Sequence, residues 1–182
     1  MGTSQSNYTS PQPGLLDTPI SNLQSNSKGR VSQMLSPVVV LGQTTGQPTS
    51  GNPVLKAFGL TSNLTSNPNQ IVNLTQDPNQ NITIVLGDGS TIAITFNYYA
   101  NQQGWFYNLN YNNGQFVANG RRVVASPNML SAFQNIIPFG LAVTTTDGYE
   151  PIFIDDFATG RASLFVLEAD DVAITEAAIN DN

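Results

Sequence analysis

Between residues 82 and 111 the chain alternates apolar and polar side chains, and two breaks rich in glycine and asparagine divide the pattern into three runs. Ile82, Ile84 and Leu86 alternate with Thr83 and Val85. After Gly87-Asp88-Gly89, Ile92, Ile94, Phe96 and Tyr98 alternate with Thr91, Ala93, Thr95 and Asn97. After a turn at residues 101–104, Trp105, Tyr107, Leu109 and Tyr111 alternate with Phe106, Asn108 and Asn110. A period of two sends successive side chains to opposite faces of a strand. Asn112-Asn113-Gly114 then supplies the residue types that tolerate the positive φ of a tight hairpin. Three strands joined by short turns predict an antiparallel meander, with Ile94, Phe96 and Trp105 facing a core.

Further strands follow. Phe116-Val117 and Val123-Val124 mark one or two, interrupted by Asn119-Gly120. Ser126-Pro127-Asn128 reads as a helix start, with proline at the first helical position and Met129, Leu130 and Phe133 as a short apolar stripe. Residues 136–144 read as a strand with an edge or bulge at Pro138. Residues 162–168 are apolar on both faces, as a central strand requires, placing Leu164 and Val166 in the core. Residues 76–168 are thus expected to form a mainly β, small antiparallel β-barrel or sandwich with one short helical turn.

The flanks read differently. Residues 1–75 are dominated by Ser, Asn, Gln, Thr and Pro, and Pro11, Pro13 and Pro19 block helix and withhold sheet donors. Residues 38–41 could form one strand closed by Gly42, and residues 54–60 a short helical or strand-like piece. Nothing here repeats at a helical or strand period, so the segment is expected to be a long extended N-terminal arm. Ordering backbone costs roughly 1–2 kcal/mol per residue, and scattered residues such as Leu15, Leu16 and Ile20 cannot offset that without another surface. Residues 169–182 are expected to be an acidic C-terminal tail.

Charge is scarce, at 10% of residues, and uneven. Before Asp147 stand Asp17, Asp77 and Asp88 against Lys28, Arg30, Lys56, Arg121 and Arg122. From Asp147 onward Arg161 alone opposes Asp147, Glu150, Asp155, Asp156, Glu168, Asp170, Asp171, Glu176 and Asp181. Such a chain is a poor nucleic-acid partner, because phosphate binding relies on clustered Lys and Arg. Its acidic end either stays solvated or faces a basic protein surface. No run approaches the ~20 apolar residues of a membrane span. The first ten residues lack the pattern of a secretory signal, so host cytoplasm is the expected compartment unless an assembly carries the protein elsewhere.

Cysteine and histidine are both absent. That removes disulfides, thiol chemistry, the commonest general base and the commonest transition-metal ligand. Asp155-Asp156 with Glu150 could hold a hard cation through oxygen or form a turn capping a strand end. Arg121-Arg122 could clamp an anion or form a salt bridge with the acidic end. Gly42-Gln43-Thr44-Thr45-Gly46 lacks the Lys-Ser or Lys-Thr of a phosphate loop. Asn7-Tyr8-Thr9, Asn63-Leu64-Thr65, Asn73-Leu74-Thr75 and Asn81-Ile82-Thr83 match the glycosylation sequon, as an Asn- and Thr-rich chain does by chance. No residue emerges as catalytic, cofactor-binding or metal-binding; no cofactor is expected, and the chain does not read as an enzyme.

A series of short pieces, in order, carries a family resemblance: the hairpin on Gly87-Asp88-Gly89, then Gly104-Trp105, Asn113-Gly114 and Gly120-Arg121-Arg122-Val123-Val124. Asn128-Met129-Leu130, Ile137-Pro138-Phe139-Gly140-Leu141, Asp155-Asp156-Phe157 and Gly160-Arg161 complete it. Over residues 81–171 the chain resembles the plug proteins in baseplates of contractile-tailed cyanophages and related phages. The resemblance implies a virion structural protein in the tail hub or at its junction with the tube. Its partners would be hub, tail-tube and baseplate subunits in a symmetric assembly, with no catalytic residues to carry over. The arm and acidic end depart from the compact family pattern. A different reading is a β-sandwich binding module, a fibre or adhesin tip stacking glycan or peptide on Tyr98, Tyr99, Trp105, Phe106, Tyr107 and Tyr111. An exposed concave cluster of those rings would favour it; burial of Trp105 would favour the structural role.

Overall fold

A computed structural model describes residues 38–40, 51–64 and 66–181. Residues 1–37 and 41–50 of the arm expected over residues 1–75, and with them the stretch Gly42-Gln43-Thr44-Thr45-Gly46 and the sequon at Asn7, lie outside them, as does Thr65 of a second sequon. In chain order the elements are β1 (Val38–Val40), α1 (Pro53–Ala57), β2 (Asn69–Ile71), β3 (Asn79–Val85), β4 (Thr91–Tyr99) and β5 (Gly104–Tyr111). There follow β6 (Phe116–Arg122), β7 (Gly140–Thr145), β8 (Ala162–Leu167) and α2 (Ala169–Asn180). They build a five-stranded sheet, β1-β3-β4-β5-β6, and a three-stranded sheet, β2-β8-β7. Every pairing is antiparallel except β1 with β3.

The expected meander is β3-β4-β5, and its register explains its packing. Ile82 pairs with Ile94 and Ile94 with Leu109, while Ile84 pairs with Ile92 and Ile92 with Tyr111. Same-face residues therefore stack across three strands. They share one buried cluster with Ile71, Leu141, Val143, Leu164 and Val166 of the other sheet. Trp105, Phe96, Ile94, Leu164 and Val166 are all buried, as expected from the sequence. The sheets face each other without closing, so of barrel and sandwich the second is observed. Asn112, Asn113 and Gly114 all have positive φ, at 46°, 56° and 98°, which is why that hairpin needs Asn-Asn-Gly.

A third layer was not legible. Phe165 and Leu167, on the opposite face of β8, pack with Ala142 of β7, Val54 of α1 and Val172 of α2. Leu55 meets Ile174 and Ala178 beside them. The boundary expected after residue 75 is thus too late, because α1 and β2 belong to the domain. Elements of five and three residues show no period; Val54, Leu55, Ile71 and Leu74 act as single buried side chains. Asn52 secures α1 by accepting from the N–H groups of Val54 (2.9 Å) and Leu55 (3.2 Å).

The acidic end is likewise a helix and not a free tail. Asp171, Val172, Ile174, Thr175 and Ala178 form its buried face. The Glu168 N–H donates to the Asp171 carboxylate at 3.3 Å, and acids in the first turn suit the helix dipole.

Two local expectations also change. No helix starts at Ser126-Pro127-Asn128; Ser126 forms a bridge with Val143, and the helical turn is a 3-10 turn at Ser131–Phe133. The strand expected from residue 136 begins at Gly140. Pro138 has no N–H for a ladder. A Cβ on Gly140 would sit 2.8 Å from the Asn128 amide oxygen, which occupies that space and accepts from the Leu130 N–H at 3.0 Å. The other amide end of Asn128 donates to Glu176 of α2 at 2.8 Å.

A fragment beginning at Gly51 is expected to retain a cooperative urea transition near that of the full chain. One beginning at Gln76 loses four buried side chains worth roughly 1.5–3 kcal/mol each at most, against a total of about 5–15 kcal/mol. It should be largely unfolded by circular dichroism. Equal midpoints for the two fragments would show α1 and β2 to be dispensable.

Candidate assembly surfaces

The connection between β7 and β8, residues 146–161, has no regular structure and is organised by one cation. Arg161 donates through Nε to Asp156 Oδ1 (2.6 Å) and through Nη2 to Asp156 Oδ2 (2.7 Å), the paired geometry that suits guanidinium and carboxylate. Its Nη1 reaches Asp147 Oδ2 at 2.7 Å, and Nη2 also donates to the Glu150 carbonyl at 2.9 Å. The guanidinium lies 5.6 Å from the Phe153 ring centre. Asp156, 1% exposed, accepts a further bond from the Phe153 N–H at 2.7 Å. The Asp156 carboxylate holds the Arg161 pKa above its ordinary value. The Tyr149 N–H, then Arg161, hold the Asp147 carboxyl below the usual carboxylate range.

This geometry matches the strand-end turn among the two readings of Asp155-Asp156. The carboxylates do not point at a common centre: Asp156 and Asp147 turn to Arg161, while Glu150 accepts from the Ala125 N–H at 2.7 Å. Asp155 contributes its carbonyl, which accepts from the Thr159 N–H and hydroxyl at 2.8 and 2.9 Å. Among the described residues no three carboxylates cluster as metal ligands do.

Arg121 and Arg122 do not pair with the acidic end, contrary to the expected salt bridge. Arg122 donates to the carbonyls of Gln102 (3.1 Å) and Gln103 (2.9 Å) and lies over the Phe106 ring. Arg121 lies 5.2 Å from the Phe133 ring centre. The acids they would need are committed elsewhere: Asp147 and Asp156 to Arg161, and those of α2 beyond the three-stranded sheet.

The six aromatics considered for ligand stacking do not form a common surface. Trp105, Tyr107 and Tyr111 are buried. Trp105 sits between Tyr98 and Phe157, with centroids at 5.4 and 5.9 Å, and its indole N–H donates to the Phe153 carbonyl at 3.0 Å. The Tyr98 hydroxyl donates to the Ile152 carbonyl at 2.9 Å. Tyr99 and Phe106 stack on the outer face of the sheet.

What sequence reasoning missed is the loop these bonds hold down. It presents Tyr149, 75% exposed, Phe153, 55% exposed, and the partly exposed Ile154 to solvent. Apolar side chains on a segment fixed from beneath are preorganised for contact. No periodicity announces them; the legible signal was aromatic residues isolated in an acidic, turn-rich stretch. The outer face of the five-stranded sheet is different again. Asn81, Thr95 and Asn108 lie in register across β3, β4 and β5, with the Thr95 hydroxyl 2.6 Å from the Asn81 amide oxygen.

Arg161→Met should leave the buried Asp156 carboxylate without its cation and lower stability by about 3–5 kcal/mol in urea denaturation. A loss below about 1 kcal/mol would show that the loop does not depend on this pair. The lowered Asp147 carboxyl gives a second expectation. Its stabilising contribution is complete above the ordinary carboxylate range and is lost as pH falls through the folded-state value. Asp147→Asn should therefore flatten the acid limb of a stability-against-pH curve; an unchanged limb would contradict the assignment.

A protein-family model described as cyanophage baseplate Pam3 plug gp18 matches residues 69–169. The match opens on the first residue of β2 and closes on the first residue of α2. No curated protein matches the chain. The matched residues span more than half of the chain and hold both sheets from β2 to β8, so the chain belongs to the cyanophage baseplate plug family.

Proposed function

We propose that the chain, as a member of the baseplate plug family, serves as a structural component of the phage baseplate in the virion tail, associated with other baseplate proteins. We propose, more narrowly, that the domain packs against the tail tube or hub, that the residues before α1 staple neighbouring subunits, and that the protein performs no catalysis. The family match across the two-sheet domain carries this reading. The exposed side chains of Tyr149, Phe153 and Ile154, on a loop fixed by Arg161, support it by supplying a preformed contact surface. The ligand-stacking alternative loses its main support because Trp105, Tyr107 and Tyr111 are core residues.

Mass spectrometry of purified tails and a cryo-EM map should locate the chain beside the tube or hub; its absence from tails would overturn the proposal. The double variant Tyr149→Ala/Ile154→Ala should fold with a stability change near 0.5 kcal/mol, yet incorporate roughly tenfold less, as loss of an interface anchor implies. Undiminished incorporation would remove this loop from the contact surface.

A further inference from the structure

β1 is attached to the described fold through one neighbour. Val38, Val39 and Val40 pair with Thr83, Ile84 and Val85 of β3 at the edge of the five-stranded sheet. It is the one parallel pairing among the described strands, and Val38 is 61% exposed. Parallel neighbours within one chain need a crossover connection, whereas a strand arriving from another chain has no such constraint. The edge is longer than the strand that fills it. β3 runs from Asn79 to Val85, and β1 covers only its last three residues.

Chain length permits arrival from outside. Residues 41–52 separate β1 from α1 and are rich in Gly, Thr and Gln. Extended, twelve residues reach roughly 40 Å, against about 30 Å for the diameter of a small domain. A neighbouring copy can therefore present its own Val38-Val39-Val40 to β3 with the same backbone bonds. Which copy supplies the strand is then a matter of local concentration, which a symmetric assembly raises for neighbours as a tether does within one chain.

We propose that in the assembled baseplate the β3 edge accepts Val38–Val40 of a neighbouring copy of this chain. The proposal rests on the baseplate reading and gives the staple its donor strand, its acceptor edge and its register. The exchange adds no new bond type; it turns an edge that would expose unpaired N–H and C=O groups into a link between subunits.

The chain has no cysteine, so engineered ones report without background. Val38 and Thr83 are register partners, and paired strand positions lie within the Cα separation a disulfide spans. Two full-length versions with different tags, one Val38→Cys and one Thr83→Cys, are expressed together with the other tail proteins, and purified particles are oxidised. The expected result is a disulfide-linked species carrying both tags, lost when Thr83 is restored. The overturning result is no mixed-tag species while a chain carrying both substitutions links only within itself. If neither tagged chain is present in the particles, the baseplate reading fails and the exchange fails with it; incorporation without mixed-tag linkage rejects the exchange alone.

Discussion

The fold depends on β8 being apolar on both faces. Leu164 and Val166 point to the five-stranded sheet, and Phe165 and Leu167 point away from it. A strand with two buried faces cannot lie on a two-layer surface with one side in water. The meander covers the first side. The second needs α1 and α2, whose Val54 and Val172 close over Phe165 and Leu167. This explains why segments with little apolar content are nonetheless built in: each contributes a few side chains to a gap that β8 creates.

Arg161 acts as a second organising centre, of a different kind. A cation near an apolar core loses solvation, and it is tolerated here because two carboxylates, a carbonyl and an aromatic face receive it. The arrangement gives an irregular connection a single conformation without helix or strand. The domain can therefore display aromatic side chains on a loop without the ordering cost that a free loop pays on binding.

The legible part of the fold was the part with a period. Alternation located β3, β4 and β5 and named the inward residues, and the two-sided run at residues 162–168 located β8. Elements too short for a period were missed, since the burial of Val54 or Ile71 is decided by the surface they meet. α2 was hidden for a different reason. Its acids read as a charged tail, although Ile174 and Ala178 stand four residues apart on one helix face and Asp171 stands three residues after Glu168. For the site, the sequence identified the acids and arginines but not their pairing. Arg161 takes the carboxylates, whereas Arg121 and Arg122 turn to aromatic rings and carbonyls. Pairing across a loop is a matter of three-dimensional reach, which residue spacing does not encode. The family resemblance survived these gaps because it is carried by turns, whose glycines and asparagines are fixed by backbone conformation.

The two edges of the larger sheet differ in kind. At one end β3 is covered over only its last three residues by the parallel β1. β6, at the other end, shifts register between Tyr107 and Leu109, holds Gly120 at φ 62° and carries the exposed Arg121 and Arg122. Bulges and charges of this sort resist the approach of a further strand. The sheet thus has polarity as a building unit. Strand addition to this sheet is therefore confined to its β3 side, while the β6 side is protected from it.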